Sequence, residues 1–407
     1  MRKYKRKVFF NALWKNLRGR VNLIQVVVGP RQVGKTTLAL QVMDEWKNPK
    51  IYDSADSPDI PTTDWIVQKW RAAREKSKAS GRNTLLILDE VQKISRWSEA
   101  VKKLYDEDKR KQNKIRVLLL GSSALLMQRG LSESLAGRFE LHQHTHWSYT
   151  ECRDYFSLNL KEYIYFGGYP AALLLRRDQR RWANYIRESL IETVLNKDII
   201  LMSPISKPAL LRQTFGLAMS HPAQIISYQK MLGTLHDAGN TTTIASYLRL
   251  LSKAFLVSPL ERFSQARIKR RGSIPKLLIL DNSLISAMAG MTFRDATRDK
   301  VFWGRLIENA VGAQLFNLVL QWGGELFYWR LRQDEIDYCL KVGNRLIAVE
   351  VKSGYPNKTL DGLCSFLKKY KEAEGVLLSP VKLQLERPIR SIALEDFFKS
   401  PDKILKI

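Results

Sequence analysis

Apolar residues recur at helical spacing near the start of the chain, at Phe10, Leu13, Trp14 and Leu17, and predict an amphipathic helix. Leu23–Val28 is instead an unbroken apolar run closed by Gly29-Pro30, as in a strand buried on both faces that ends in a turn. Lys35–Trp46 returns to helical periodicity, Leu85–Leu88 and Val117–Leu120 read as further buried strands, and Val101–Tyr105 lies on a helix between them. Strands alternating with helices predict a parallel, doubly wound sheet over residues 1–155.

From residue 156 to 270 the pattern is mainly helical. Ser227–Leu235 reads as a short helix, Gly239-Asn240 breaks it, and Thr241–Lys253 is a second helix with threonines at its start as caps. Phe255–Phe263 then alternates toward an extended wing, so the order helix, turn, helix, wing predicts a winged-helix arrangement. The same pattern also suits a helical lid that touches no nucleic acid. Residues 271–407 bring strands back, at Lys276–Leu280, Leu326–Arg330, Glu335–Lys341 and Arg345–Lys352, with a helix at Leu306–Leu320. The fold class expected is therefore α/β, with a helical middle region and a smaller α/β C-terminal domain.

The first strand runs into Gly29-Pro30-Arg31-Gln32-Val33-Gly34-Lys35-Thr36-Thr37, which fits GxxxxGK[ST] between a strand and a helix. Glycines let backbone N–H groups turn inward around phosphate oxygens, and the helix N-terminus adds its dipole. Lys35 is expected to reach the β/γ-phosphates of ATP, and the Thr36 hydroxyl to ligate Mg²⁺. The strand ending in Asp89-Glu90 supplies the other half, with Asp89 beside the Mg²⁺ and Glu90 polarising the attacking water. Ser122, after the third strand, is placed to hold that water or sense the γ-phosphate, a turn serine being the plainer reading. Arg138, in Ala136-Gly137-Arg138, is either a solvated surface charge or a group that stabilises transition-state charge on a neighbouring subunit's nucleotide.

A second constellation follows from hairpin arithmetic. Gly343-Asn344 is a two-residue turn signal, so Val342 faces Arg345 and Asp337 falls opposite Glu350, with Lys352 on the same face. Two carboxylates beside a lysine can form a Mg²⁺ site for phosphodiester cleavage, or merely a solvated face with an ion pair. His142, His144 and His146 alternate along one strand, but no nearby Cys or acid completes a zinc site, and a packed or solvated strand face is the preferred reading.

The order of phosphate loop, Asp-Glu strand, serine strand and Ala-Gly-Arg element resembles the AAA+ superfamily. Gly167-Gly168-Tyr169-Pro170, the winged-helix pattern and a C-terminal Glu350-Val351-Lys352 are similar to bacterial and archaeal AAA+ ATPases that end in a restriction-endonuclease-like domain of uncharacterised role. That resemblance covers nearly the whole chain. It implies a homo-oligomer, often a hexameric ring, with Arg138 acting in trans. It also implies a nuclease-like site of Glu308, Asp337, Glu350 and Lys352, with Glu308 as the acid on the first helix of that fold.

Charge narrows the partner. Lys and Arg outnumber Asp and Glu by 67 to 40 among 407 residues, a formal net charge of +27, and a polyanion is the natural counterpart. Basic clusters recur at Arg2–Lys7, Lys109–Lys114, Arg176–Arg181 and Arg267–Arg271. Three scattered cysteines and the lack of an apolar signal core or bilayer-length run point to the cytoplasm, away from membranes. The expectation is an ATP-hydrolysing protein that remodels or translocates on double-stranded or branched DNA, with a C-terminal domain that cuts or grips it. The alternative is an ATP-dependent conformational switch regulating a protein partner, with an inactive nuclease fold.

Overall fold

The computed structural model describes residues 4–57, 59, 61–121, 127, 130–131, 134–200, 205, 207–235, 240–265, 274–354 and 360–406. The chain divides into two compact units, Met1–Thr145 and His146–Ile407.

The first unit is a five-stranded parallel sheet with helices. In chain order it comprises α1 (Lys7–Arg18), β1 (Ile24–Val28), α2 (Lys35–Glu45), β2 (Lys50–Ser54), α3 (Thr63–Ser80), β3 (Thr84–Asp89), α4 (Trp97–Lys111), β4 (Ile115–Gly121) and β5 (Phe139–Gln143). The strand order is β2-β3-β4-β1-β5. β1 and β3 are buried along their whole length, which is why they read as continuous apolar runs. Phe10, Leu13 and Leu17 of α1 join Leu38 and Val42 of α2 in one apolar cluster with Val27 and Leu120. The pattern did not reveal β2: Lys50-Ile51-Tyr52-Asp53-Ser54 is short, half-buried throughout and interrupted by charge. The strand expected over Phe139–His146 is paired only to Gln143, although His144 N still donates to Val28 O at 2.7 Å.

The second unit opens with helices, among them α5 (Tyr149–Phe156) and α6 (Leu160–Phe166). α7 (Pro208–Ser220), β6 (Gln224–Ile225), α8 (Tyr228–Thr234), α9 (Thr241–Lys253), β7 (Val257–Leu260) and β8 (Lys276–Ile279) follow. β6, β8 and β7 make a three-stranded antiparallel sheet in that order, so β8 completes the sheet of the middle region. The cap of α9 differs from expectation: Asn240, extended and one position before the helix, accepts from Thr243 N at 2.8 Å. A side chain at that position reaches the third helical N–H, which Thr241 inside the helix cannot.

After α10 (Asn282–Ala289), α11 runs from Lys300 to Trp322 and so begins before the expected Leu306. Asp299 sets that start by accepting from Val301 N and Phe302 N at 3.0 and 2.9 Å. β9 (Glu325–Leu331), β10 (Asp334–Val342), β11 (Arg345–Val351), α12 (Asp361–Lys369), β12 (Glu374–Ser379) and β13 (Ile389–Ala393) complete a second five-stranded sheet, ordered β13-β12-β11-β10-β9. The β10–β11 hairpin has Val342 opposite Arg345, and its ladder runs to Tyr338 opposite Val349, the register the turn signal demanded.

Candidate functional site

The phosphate loop sits between β1 and α2, where backbone geometry explains its glycines. A Cβ on Gly29 would lie 2.1 Å from the main-chain oxygen of His144, so no larger residue fits there. Gly34 has φ +98° and Gln32 φ +60°, the left-handed turns that carry the chain into α2. Lys35 is buried and donates to the loop's own carbonyls, Gly29 O at 3.0 Å and Pro30 O at 2.5 Å.

The Thr36 hydroxyl donates to Asp89 Oδ2 at 2.8 Å, so loop and acidic strand end meet. Asp89 is buried, and its second oxygen accepts from Glu90 N at 2.9 Å. Glu90 has φ 53° and ψ 30° as the chain turns sharply off β3, and its carboxylate accepts from the Gln92 amide. Tyr52 on β2 also donates to Asp89, at 3.2 Å, and burial followed by the charge of Asp89 pushes its phenol up to about 12. Tyr52 was missed because its strand was missed. An ATP·Mg²⁺ complex suits this donor set: the Lys35 ammonium and the N-terminus of α2 for phosphate, and hard hydroxyl and carboxylate oxygens of Thr36 and Asp89 for the ion. Thr36 and Asp89 would hold a Mg²⁺ that neutralises phosphate charge, Lys35 would hold the phosphates, and Glu90 would orient a water.

β4 lies between β1 and β3; Ser122, just beyond it, lies outside the described residues, as does the basic cluster Arg267–Arg271. Arg138 follows Gly137 (φ +74°) and makes a two-pronged ion pair within the chain, Nε to Asp106 Oδ1 at 2.8 Å and Nη2 to Asp106 Oδ2 at 3.0 Å. His142 is hydrogen-bonded to Gln25 at 2.7 Å, and His144 packs on Phe9 with ring centroids 4.5 Å apart. Among the described residues no group of three His, Cys, Asp or Glu is arranged to hold a metal.

The second unit brings the four C-terminal candidates together around a residue the sequence did not single out. Lys276, the first residue of β8, is wholly buried. Its Nζ lies 2.6 Å from Glu308 Oε1, 3.4 Å from Asp337 Oδ1 and 4.0 Å from Glu335 Oε1, and it donates to the main-chain oxygen of Asp337 at 3.2 Å. Asn309, beside Glu308 on α11, fixes this geometry by bonding both Ile279 N (2.9 Å) and Ile279 O (2.7 Å) of β8. Asp337 stands where β10 bulges against β9, and its Oδ2 accepts from Val351 N at 2.8 Å. Lys352 Nζ is 2.6 Å from Glu350 Oε1. Burial, and then the charge of Asp337, pushes Glu308 up to about 8 and Glu350 up to about 7. Burial alone would lower the Lys276 ammonium, but Glu308 and Asp337 outweigh it and hold its pKa well above the ordinary value. Both glutamates are thus raised by the same neighbour, the Asp337 carboxylate, with burial as the larger cause.

The Gly167-Gly168 turn is held by Asp281, whose Oδ2 accepts from Gly168 N at 2.7 Å while Oδ1 accepts from Ser283 N at 2.9 Å. Burial raises the Asp281 carboxyl to about 6 against these hydrogen bonds.

Fold and loop point to one class: residues 21–153 match the family model described as an AAA domain, and their five-stranded parallel sheet is the fold typical of P-loop ATPases. Residues 157–295 and 303–395 match two families each described as a domain of unknown function. Among solved structures, the Walker-type ATPase of Pyrococcus abyssi has a similar fold, with a TM-score of 0.53 at 13% identity, over 70% of this chain and 96% of that one. Uncharacterized proteins of Mycobacterium bovis and Mycobacterium tuberculosis are each 29% identical over 332 residues, 81% of this chain and 70% of theirs. No helix among the described residues is long and apolar enough to cross a membrane.

Proposed function

We propose that this protein hydrolyses ATP at the Gly29–Thr37 loop, with Glu90 activating water, and couples turnover to remodelling or movement along DNA in the cytoplasm. The ATP half rests on the Thr36–Asp89 contact of 2.8 Å, which gathers both expected Mg²⁺ ligands at the mouth of the loop. The DNA half rests on α9. Thr242, Ser246, Arg249 and Lys253 recur along one side of that helix, and Thr242, Arg249 and Lys253 are exposed. A winged helix made with β6, β7 and β8 would present this polar, basic helix to a polyanion, a reading the net charge of +27 supports. The arrangement of α11, β9, β10, β11, α12 and β12 resembles a nuclease-like core, here assigned to gripping DNA. Ring assembly, expected to be hexameric, would let Arg138 exchange Asp106 for a neighbour's nucleotide.

The Arg138–Asp106 pair also favours a second reading, a switch whose turnover waits on a protein partner that releases Arg138. Phosphate release with and without single-stranded, duplex, forked and four-way DNA separates the two. Several-fold stimulation by one DNA form, abolished in Lys35→Ala, supports the first. Turnover unchanged by all four forms removes the DNA half and leaves the switch.

A further inference from the structure

A nuclease-like site of this kind implies a divalent cation between the acids on its first helix and its hairpin. We infer that in this protein the Lys276 ammonium takes that place, so that the C-terminal acid cluster binds no catalytic metal and leaves DNA uncut. The ammonium has three N–H groups, and three oxygens stand ready to accept them: Glu308 Oε1 at 2.6 Å, the Asp337 main-chain oxygen at 3.2 Å and Asp337 Oδ1 at 3.4 Å. The Tyr338 ring, 4.8 Å from Nζ, closes another side. The two carboxylates that would bridge a metal from α11 and β10 thus converge on a nitrogen.

Charge points the same way. Lys276 and Lys352 face Glu308, Asp337 and Glu350, two cations against three acids, so the ammonium groups offset most of the carboxylate charge without an added ion; Glu335, 4.0 Å from Lys276, also has Arg330 at 4.0 Å. A divalent ion placed there would meet a fixed buried ammonium at contact distance, which is repulsive where water cannot screen it. Lys276 cannot swing aside as a surface lysine would: it is wholly buried, its strand is paired on both sides, and Asn309 clamps Ile279 of that strand to α11. The cluster is an ion-pair junction between the three-stranded sheet and the five-stranded sheet. The inference rests on the nuclease-like reading of this core given above, but not on ATP turnover or on DNA binding by α9.

The test is thermal unfolding of the full-length, nucleotide-free protein in Mg²⁺ or Mn²⁺, each variant compared with and without Asp337→Asn so that any effect at the phosphate loop cancels. Wild type is expected to show no metal-induced rise in melting temperature that Asp337→Asn removes. Lys276→Met should melt lower without metal and recover with Mn²⁺, and the recovery should vanish when Asp337→Asn is added. If Lys276→Met does not fold, Lys276→Met/Glu308→Gln removes ammonium and partner together. The remaining Asp337 and Glu350 should then give the same Asp337-dependent response to Mn²⁺. A saturable, Asp337-dependent metal response in wild type would overturn the inference, as would Asp337-dependent cleavage of duplex DNA. So would the absence of any metal response in both lysine variants.

Discussion

Glu90 combines the proposed catalytic role with a backbone conformation that an L-residue adopts at a cost, and the two can be separated by substitution. Its φ of 53° and ψ of 30° place it in the left-handed region, which costs a residue with a Cβ about 1–2 kcal/mol. The sharp turn is useful because it lets Asp89 face Thr36 while Glu90 departs in another direction, with Glu90 N returning to Asp89 Oδ1. Glu90→Ala and Glu90→Gly both delete the carboxylate and its bond to Gln92, so those losses cancel between them. What differs is the Cβ. Glycine relieves the strain but loses about 0.5–1 kcal/mol through its freer unfolded chain. The net expectation is that Glu90→Gly is more stable than Glu90→Ala by about 1 kcal/mol, reversing the usual order. For the first unit this is a melting-temperature difference of about 2–4 °C, readable by calorimetry. Glu90→Gln keeps shape and strain, and should bind ATP yet release phosphate at least ~100-fold more slowly, the lower range for loss of a general base. Alanine more stable than glycine would refute the strain argument, and wild-type turnover in Glu90→Gln would remove the catalytic assignment.

Arg138→Ala should bind ATP normally and hydrolyse it poorly, and Asp106→Asn, which frees the guanidinium, should raise activity most at high protein concentration; equal activity at all dilutions in every variant would remove a trans role. DNA affinity should decline linearly in log–log form with salt as several phosphates are neutralised, and a flat response in gel-shift titrations would point to a protein partner. Asp281 has its folded value raised to about 6, so its contribution is fully present below its unfolded value, near 4, and is lost as pH rises through about 6. The corresponding loss is about 3 kcal/mol across that window. Urea midpoints should therefore shift less between pH 4 and 7 in Asp281→Asn than in wild type, and identical shifts would contradict the assignment.

Much of the site was legible along the chain because its determinants are local. A strand running into Gly29–Thr37 and a buried strand ending in Asp89-Glu90 are short-range patterns, and the two ends meet because parallel strands bring their C-terminal ends to one edge. The β10–β11 register was equally local, since one turn, Gly343-Asn344, sets every pair after it. Tyr52 could not be found this way, because its contact with Asp89 exists only where β2 pairs with β3. Nor could the Arg138–Asp106 pair, which joins the foot of β5 to α4. Lys276 is the clearest case. In sequence it is a charged residue opening a short apolar strand, which ordinarily means an ammonium left in water. Only when α11 and the β10 bulge close over β8 do Glu308 and Asp337 surround it, and only that enclosure turns a surface-type lysine into a buried cation with three acceptors. Periodicity reports which way a residue faces within its own element, whereas the charge it meets there is decided by the elements that pack on top of it.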